Sequence, residues 1–179
     1  MRAPGAPARR RRAAAAMVAY MINSAWASEL PAGAFADRTK LKEAVDEWVL
    51  DDAAAAKKYG PISGWDASRV DDLSNLFGSK TTFNGAVGGW DTSRVTTMEY
   101  TFYDAKAFNQ ALDWDTSSVT NMYGTFRSLP NNYPIFDQPL AWDTSKVTTL
   151  SETFYMAEAF NSELVWDCLL YTSPSPRDS

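Results

Sequence analysis

Carboxylates recur at one position of a repeated phrase, so they are the first residues to weigh for chemistry. Asp66, Asp91, Asp115 and Asp143 each follow a tryptophan. Paired carboxylates serve general acid–base catalysis, and stacked carboxylates bind calcium. An identical acid in every repeat is more typical of a turn or a cap. We therefore predict that the chain is not an enzyme and that it has no catalytic residue, no cofactor and no metal site.

Histidine and cysteine chemistry is restricted by composition. The chain has no histidine and one cysteine, Cys168. A Ser/His or Cys/His nucleophile is therefore excluded, the usual zinc ligands are missing, and no disulfide forms within the chain. Calcium remains an alternative for the aspartate row, although the glycine-rich nonapeptide of calcium-binding β-rolls is absent.

Threonine hydroxyls recur as well, and they leave binding to ice or to a flat lattice as a further alternative. Threonine at such positions more often caps a helix or lines a strand. The two rows are Thr92, Thr116 and Thr144, and Thr96, Thr120 and Thr148.

The charge is distributed unevenly along the chain. Residues 1–28 contain five of the 17 basic residues and no acid. The remainder holds 22 acids against 12 bases, a net charge of about −10. Such a body repels phosphate backbones, so we predict no binding to nucleic acid.

The N-terminus has the three parts of a secretory signal. A basic stretch, "MRAPGAPARRRR", precedes an apolar stretch of about residues 13–27, which ends in the small-x-small sequence Ala25-Trp26-Ala27. The apolar stretch is too short for a membrane span. We predict a targeting segment over residues 1–27, no transmembrane span, and a secreted or cell-surface location. An organelle transit peptide and a segment without function remain alternatives.

One amphipathic helix is predicted ahead of the repeats, within a capping region of residues 28–60. Leu41, Val45, Trp48 and Val49 share one face at helical spacing. Gly60 is placed to end the helix. Because the first unit of a stack otherwise leaves apolar surface bare, we interpret this region as a cap, with a partner-binding helix as the alternative.

The central feature is a repeat that opens with tryptophan at intervals of 25, 24, 28 and 24 residues. A fixed period of this length is typical of stacked repeats in which identical side chains form ladders. The predicted ladders are Trp65, Trp90, Trp114, Trp142 and Trp166; Val70, Val95, Val119 and Val147; Phe77, Phe102, Phe126 and Phe154; Phe83, Phe108, Phe136 and Phe160; and Asn84, Asn109 and Asn161, with Asp137 in the third unit.

Spacing within one unit predicts its local structure. Val95, Met98, Phe102 and Ala105 are separated by 3, 4 and 3 residues, as on one face of a short helix. Phe108 and Trp114 are separated by an even number, as on one side of a strand. We therefore predict an α/β, leucine-rich-repeat-like solenoid of about four coils, each a short helix plus a short strand, behind an N-terminal capping helix.

The predicted domain organisation follows from these features. Residues 61–167 form the repeat region, with units at 65–89, 90–113, 114–141 and 142–165. The third unit carries an insertion that contains Pro130 and Pro134. Residues 168–179 have none of the repeat positions, and we interpret them as a non-native or disordered tail. If the array ends there, its open end favours self-association.

The phrase "VTTMEYTFYDAKAFNQALDWDTS" resembles the repeat of BspA-like leucine-rich-repeat surface proteins, in particular the tandem Trp-Asp-Thr-Ser-x-Val-Thr-x-Met units of mycoplasma lipoproteins. The resemblance covers about residues 60–167. It implies surface display, adhesion or protein interaction, and it transfers no catalytic residue. The insertion in the third unit and the absence of a lipobox cysteine depart from the family.

Residues that differ between repeats are the candidates for partner contact. We predict a non-catalytic surface or secreted protein that mediates protein–protein interaction or adhesion, with a protein or cell-surface ligand. A structural envelope or cell-wall scaffold without a specific ligand is the alternative. The candidate contact residues are Tyr100, Tyr103, Tyr123 and Tyr155; their alternative role is to cover the groove between coils.

Overall fold

A computed structural model describes residues 30–166. The described residues from Ala32 onward belong to one compact unit. The predicted targeting segment, residues 1–27, and the tail, residues 168–179 with Cys168, lie outside the described residues.

Two helices lie where one was predicted. Helix α1 spans Arg38–Leu50 and helix α2 spans Asp52–Tyr59, with a 3₁₀ turn at Ile62–Gly64. The helical conformation is interrupted at Asp51, whose carboxylate accepts a hydrogen bond from the backbone N–H of Ala54 at 2.9 Å. A capping aspartate starts a new helix because it satisfies one of the free N–H groups of the first turn. Neither helix, nor any other within residues 30–166, is long and apolar enough to cross a membrane.

The helices pack on the first tryptophan of the repeats. The Trp65 ring lies 5.6 Å from that of Trp48 in α1 and 5.7 Å from that of Tyr59 in α2. The Phe35 ring lies 5.1 Å from the Trp65 ring, and the indole N–H of Trp65 donates to the carbonyl of Gly60 at 3.1 Å. These contacts bury Trp65 although no repeat precedes it.

Beyond Gly64 the described part of the chain forms neither helix nor strand. Successive repeats lie parallel, and their strand-like pairing is limited to single-residue bridges, at Asp72–Thr97, Thr97–Asn121, Asn121–Thr149 and Leu140–Leu164. The predicted α/β, leucine-rich-repeat-like solenoid, with a helix and a strand in every coil, is therefore wrong.

Backbone hydrogen bonding explains why neither element forms. Alternate N–H groups point to different partners: those of Met98, Tyr100, Phe102 and Asp104 donate to carbonyls of the next repeat at 2.8–2.9 Å. The N–H groups of Thr101, Tyr103 and Ala105 donate instead to the carbonyl three residues earlier, at 3.0–3.2 Å. A helix directs all of its N–H groups along its own axis, and a strand closes no such turns. The segment is therefore a succession of turns tied sideways to its neighbour.

Left-handed residues make these turns. Tyr100 and Asp104 have φ of 54° and 56°, and Asn75 and Ser79 repeat these values at the equivalent positions of the first unit. A left-handed residue interrupts an α-helix. The four residues predicted to share one helical face are all buried: Val95, Met98, Phe102 and Ala105. Successive turns, rather than a helix, bring them to the same side.

Side chains replace strand pairing in the segment that follows Phe108. The Oδ1 atom of Asn84 accepts a hydrogen bond from the backbone N–H of Asn109 in the next repeat at 3.0 Å. The indole N–H of Trp114 donates to the carbonyl of Val87 in the preceding repeat at 2.8 Å. This segment thus bonds to its neighbours without the continuous backbone ladder that defines a strand.

Aromatic rings stack from repeat to repeat through the core. In the row from Phe77 to Phe154 the ring centroids are 5.0–5.4 Å apart, with planes within 11° of parallel. In the row from Phe83 to Phe160 they are 5.9 Å apart. The valine row, Val70, Val95, Val119 and Val147, is buried beside them. Stacked tryptophan pairs are Trp65–Trp90 at 6.1 Å, and Trp114–Trp142 and Trp142–Trp166 at 6.3 Å.

A buried threonine row adds a polar ladder that sequence analysis missed. Thr101, Thr125 and Thr153 each precede a stacked phenylalanine. The hydroxyls of Thr101 and Thr125 donate at 3.0 Å to the carbonyls of Leu73 and Met98 in the preceding repeat. The recurring Thr-Phe pair is the signal that could have revealed this row.

The phenylalanine stack generates a test by substitution. We expect Phe102→Ala to lower the free energy of unfolding by about 3–5 kcal/mol, because the ring is buried and packs against three other phenylalanine rings. Phe154→Ala is the matched control: Phe154 occupies the same row in the last described repeat and is only half-buried, so its loss should be smaller. Urea unfolding measures both. A loss below about 1 kcal/mol for Phe102→Ala would contradict the stack.

Candidate functional site

The aspartate row is engaged in turns. The carboxylates of Asp66, Asp91, Asp115 and Asp143 each accept a hydrogen bond, at 2.8–3.0 Å, from the backbone N–H two residues later. Hydrogen bonds from the following serine, from its side chain first and then its backbone, lower the pKa of Asp66, Asp115 and Asp143. These three carboxylates are thus held ionised, as turn acceptors are. Within residues 30–166 no group of three or more Cys, His, Asp or Glu side chains is placed to hold a metal ion.

The two threonine rows found in the sequence also bond between repeats. Thr92 and Thr116 are buried, and their hydroxyls donate at 3.0 Å to the carbonyls of Asp115 and Asp143. Thr144 in the same row is buried too. The other row is exposed, and its hydroxyls also donate to carbonyls of the preceding repeat, in the order Thr96 to Asp71, Thr120 to Thr96 and Thr148 to Thr120.

The asparagine row ties one turn of each repeat to the next. Asn109 accepts a hydrogen bond from the backbone N–H of Asp137 at 3.0 Å, as Asn84 does from Asn109. Asp137 takes the same role toward the N–H of Asn161 at 2.8 Å. The side-chain oxygens of Asn84, Asn109 and Asp137 are therefore used within the stack.

Three of the four tyrosines predicted to contact a partner lie together. The Tyr100 ring meets the Tyr103 ring at 5.4 Å and 73°, and the Tyr123 ring of the next repeat at 5.2 Å and 84°. Both contacts are edge-to-face, the arrangement that aromatic quadrupoles favour. All three side chains are half-buried, so each ring keeps an accessible part.

Gly124 makes room for this cluster. A Cβ atom at this position would lie 2.5 Å from Cε1 of Tyr100, and the residue has φ of 59°. Both the ring contact and the left-handed backbone favour glycine. The ring of Tyr100 is consequently seated on the backbone of the neighbouring repeat.

Arg127 connects the fourth tyrosine to the cluster. Its guanidinium forms an ion pair with Glu152 and lies 5.2 Å from the centroid of the Tyr155 ring. Arg127 also lines one cleft together with Tyr100. The structure thus places Tyr155, which is 46% exposed, beside the cluster through a cation–π contact rather than in direct ring contact.

A cleft of about 370 Å³ opens between these side chains. We call it the tyrosine cleft; its lining residues are Asn75, Ser79, Tyr100, Tyr103 and Arg127. Asn75 and Ser79 were not singled out from the sequence. They occupy the left-handed positions equivalent to Tyr100 and Asp104 one repeat earlier, so the repeat alignment would have pointed to them.

The hydroxyl of Tyr123 remains protonated at neutral pH. Hydrogen bonding to Tyr100, desolvation and Glu152 raise the pKa of Tyr123 to about 12. Tyr123 therefore carries no phenolate charge, and its phenol can donate a hydrogen bond.

A larger groove of about 690 Å³ lies between the end of α1 and residues 82–86. Its wall includes Trp48, the exposed Leu50, and the acidic Asp51 and Asp52. Asp51 serves as the cap of α2. None of the predicted contact tyrosines lines this groove, so we place the candidate site at the tyrosine cleft.

The aspartate turns generate a test by pH. Because the folded-state pKa of Asp115 lies below the usual 3.8, its contribution to stability is fully present above that value and is lost as the pH falls through the folded pKa. We expect the unfolding temperature to drop below about pH 4. Asp115→Asn keeps the turn acceptor without a titrating group, so it should weaken this acid dependence. Circular dichroism melts measure both, and equal acid dependence in the two proteins would contradict the role of Asp115.

Comparison with known proteins identifies a family but no close relative. No similar curated protein and no similar solved structure was found. A family model described as "Mycoplasma protein of unknown function, DUF285" matches residues 32–166, a range that contains both helices and all the stacked repeats. The chain therefore belongs to this family, DUF285.

Proposed function

We propose that this chain is a non-catalytic surface or secreted protein that binds a protein or another cell-surface ligand through the tyrosine cleft. The observation that carries the proposal is the contact of Tyr100, Tyr103 and Tyr123, which brings three aromatic side chains from two adjacent repeats to one accessible face.

Within each repeat, recurring and variable side chains have different roles, and this difference supports recognition at this face. Side chains that recur in every unit are engaged in stacking, in turns of their own repeat or in hydrogen bonds between repeats. Tyr100 recurs in no other unit, and the position of Tyr103 is filled by Gly78, Arg127 and Tyr155 in the other units. Tyr100, Tyr103 and Arg127 remain partly accessible. Tyrosine and arginine are enriched at protein interfaces because they combine large contact areas with hydrogen bonding.

The proposal of a non-catalytic role rests on the hydrogen bonding of the aspartate row. The recurring carboxylates are engaged by backbone N–H groups, and the pKa of Asp66, Asp115 and Asp143 is lowered. A general acid at neutral pH needs a raised pKa. These acids are therefore suited to turns rather than to proton transfer.

Surface or secreted location is supported by the N-terminal sequence and by the repeat phrase. Residues 1–27 have the charge and hydropathy pattern of a targeting segment. The Trp-Asp-Thr-Ser phrase resembles that of BspA-like surface proteins. Adhesion is the role that this resemblance favours.

A structural scaffold is the second candidate, and the last described repeat favours it. The backbone N–H groups of Leu150, Glu152 and Phe154 have no hydrogen-bond partner among residues 30–166, although their equivalents in inner repeats donate to a neighbour. Unpaired edge donors favour association with another chain.

Saturable binding to intact cells distinguishes the two candidates. We expect the labelled full chain to bind and unlabelled chain to compete. The double variant Tyr100→Ser/Tyr103→Ser should weaken binding about tenfold, because it removes the exposed aromatic contacts.

Tyr133→Ser is the matched control, since Tyr133 is 62% exposed on the insertion of the third repeat, outside the cleft, and its binding should match that of the wild type. Unsaturable binding, together with concentration-dependent self-association in sedimentation, would instead establish the scaffold.

A further inference from the structure

The lining of the tyrosine cleft offers hydrogen-bond donors in excess of acceptors. It consists of two phenols, a guanidinium, an amide and a hydroxyl, and it contains no carboxylate. The Oδ1 atom of Asn75 lies against Gly78, at 1.7 Å from where a Cβ atom of that residue would be. The Nε atom of Arg127 is buried and has no partner among the described residues. A complementary ligand therefore supplies acceptors.

The charge of the cleft is nearly balanced. Glu152 neutralises Arg127 in an ion pair at the rim. An acidic ligand is repelled by this glutamate and by the net charge of about −10 over residues 29–179. The cleft is consequently suited to a ligand without negative charge.

The aromatic walls are fixed before any ligand binds. Tyr100 is wedged between Tyr103 and Tyr123 and rests on Gly124. Its ring and that of Tyr103 stand at 73°, which forms a notch for a flat apolar group. Preorganised walls favour affinity because little side-chain freedom is lost on binding.

A proline-rich segment has the complementary chemistry. Proline has a flat apolar ring and no backbone N–H, and a polyproline helix leaves its carbonyls free to accept hydrogen bonds. Aromatic-lined grooves recognise such segments because the extended helix is formed in advance. The volume of about 370 Å³ suits a short part of such a segment.

We propose that the tyrosine cleft binds a proline-rich extended segment of a partner protein, with proline rings against Tyr100 and Tyr103 and with peptide carbonyls accepting from the phenols and Arg127. This inference rests on the proposed function, for which it specifies the class of partner. A neutral saccharide also offers flat apolar faces, but its hydroxyls donate as well as accept, and the lining contains no carboxylate to receive them.

Fluorescence anisotropy with a labelled decaproline peptide tests the inference on the full chain. We expect saturable binding of decaproline and no saturation with a Gly-Ser peptide of equal length. Tyr100→Ser/Tyr103→Ser should weaken binding about tenfold. Tyr100→Phe/Tyr103→Phe keeps the rings and removes two donors, so it should weaken binding about threefold. Tyr133→Ser should bind as the wild type does.

The controls separate loss of binding from loss of fold and from failure of the proposed function. Thermal unfolding establishes that each variant is folded; if the serine variant is not, the conservative phenylalanine variant decides. Equal binding of decaproline and the Gly-Ser peptide, or of decaproline by wild type and both double variants, overturns the inference.

Cellohexaose provides the saccharide arm. Cleft-dependent binding of cellohexaose without binding of decaproline overturns the peptide assignment and leaves the proposed surface recognition standing. In a further outcome, the chain binds decaproline through the cleft but does not need the tyrosines to bind cells. This result supports the inference and overturns the proposed role of the cleft in cell binding.

Discussion

Registered stacking of one phenylalanine per repeat is the constraint on which the remaining structure depends. Rings from Phe77 to Phe154 lie 5.0–5.4 Å apart and nearly parallel. At that separation the backbones of adjacent repeats are within hydrogen-bonding distance, and the N–H of Phe102 donates to the carbonyl of Thr125 at 2.8 Å. Side-chain stacking and backbone bonding therefore share one spacing, and each enforces the other. The four extra residues of the third repeat leave the Phe126–Phe154 distance at 5.4 Å, because they are accommodated in a loop where Leu129 and Tyr133 are exposed.

This constraint also shapes the surface on which the candidate site is built. Left-handed residues at equivalent positions turn the chain in each repeat. At one such position the successive residues are Asn75, Tyr100, Gly124 and Glu152, so a single backbone geometry accommodates four different residues. Gly124 lets the ring of Tyr100 settle on the neighbouring repeat, and Glu152 holds Arg127. The cleft is thus a local variation on a regular scaffold, which is the usual way in which stacked repeats acquire distinct binding surfaces.

Periodicity predicted which residues face inward but not how the backbone reaches them. The rows of tryptophan, valine and phenylalanine were evident from the spacing of the repeat. The spacing from Val95 to Ala105 indicated a helix. This prediction was wrong because consecutive turns with left-handed residues bury the same positions. The even spacing from Phe108 to Trp114 indicated a strand, and it failed because Asn84 and the indole of Trp114 provide the bonds that a neighbouring strand would provide. The grouping of Tyr100 with Tyr123 requires the lateral register of two repeats, which spacing along one repeat does not reveal. Arg127, Asn75 and Ser79 join the cleft for the same reason.

Amide hydrogen exchange tests most directly whether alternate N–H groups bond across the repeats. The account predicts strong protection at Met98, Tyr100, Phe102 and Asp104, whose N–H groups donate to the next repeat, and faster exchange at the equivalent Leu150, Glu152 and Phe154, whose N–H groups have no partner within residues 30–166. Equal protection of the two sets, or protection in the inner repeats confined to the N–H groups that bond within their own repeat, would contradict it.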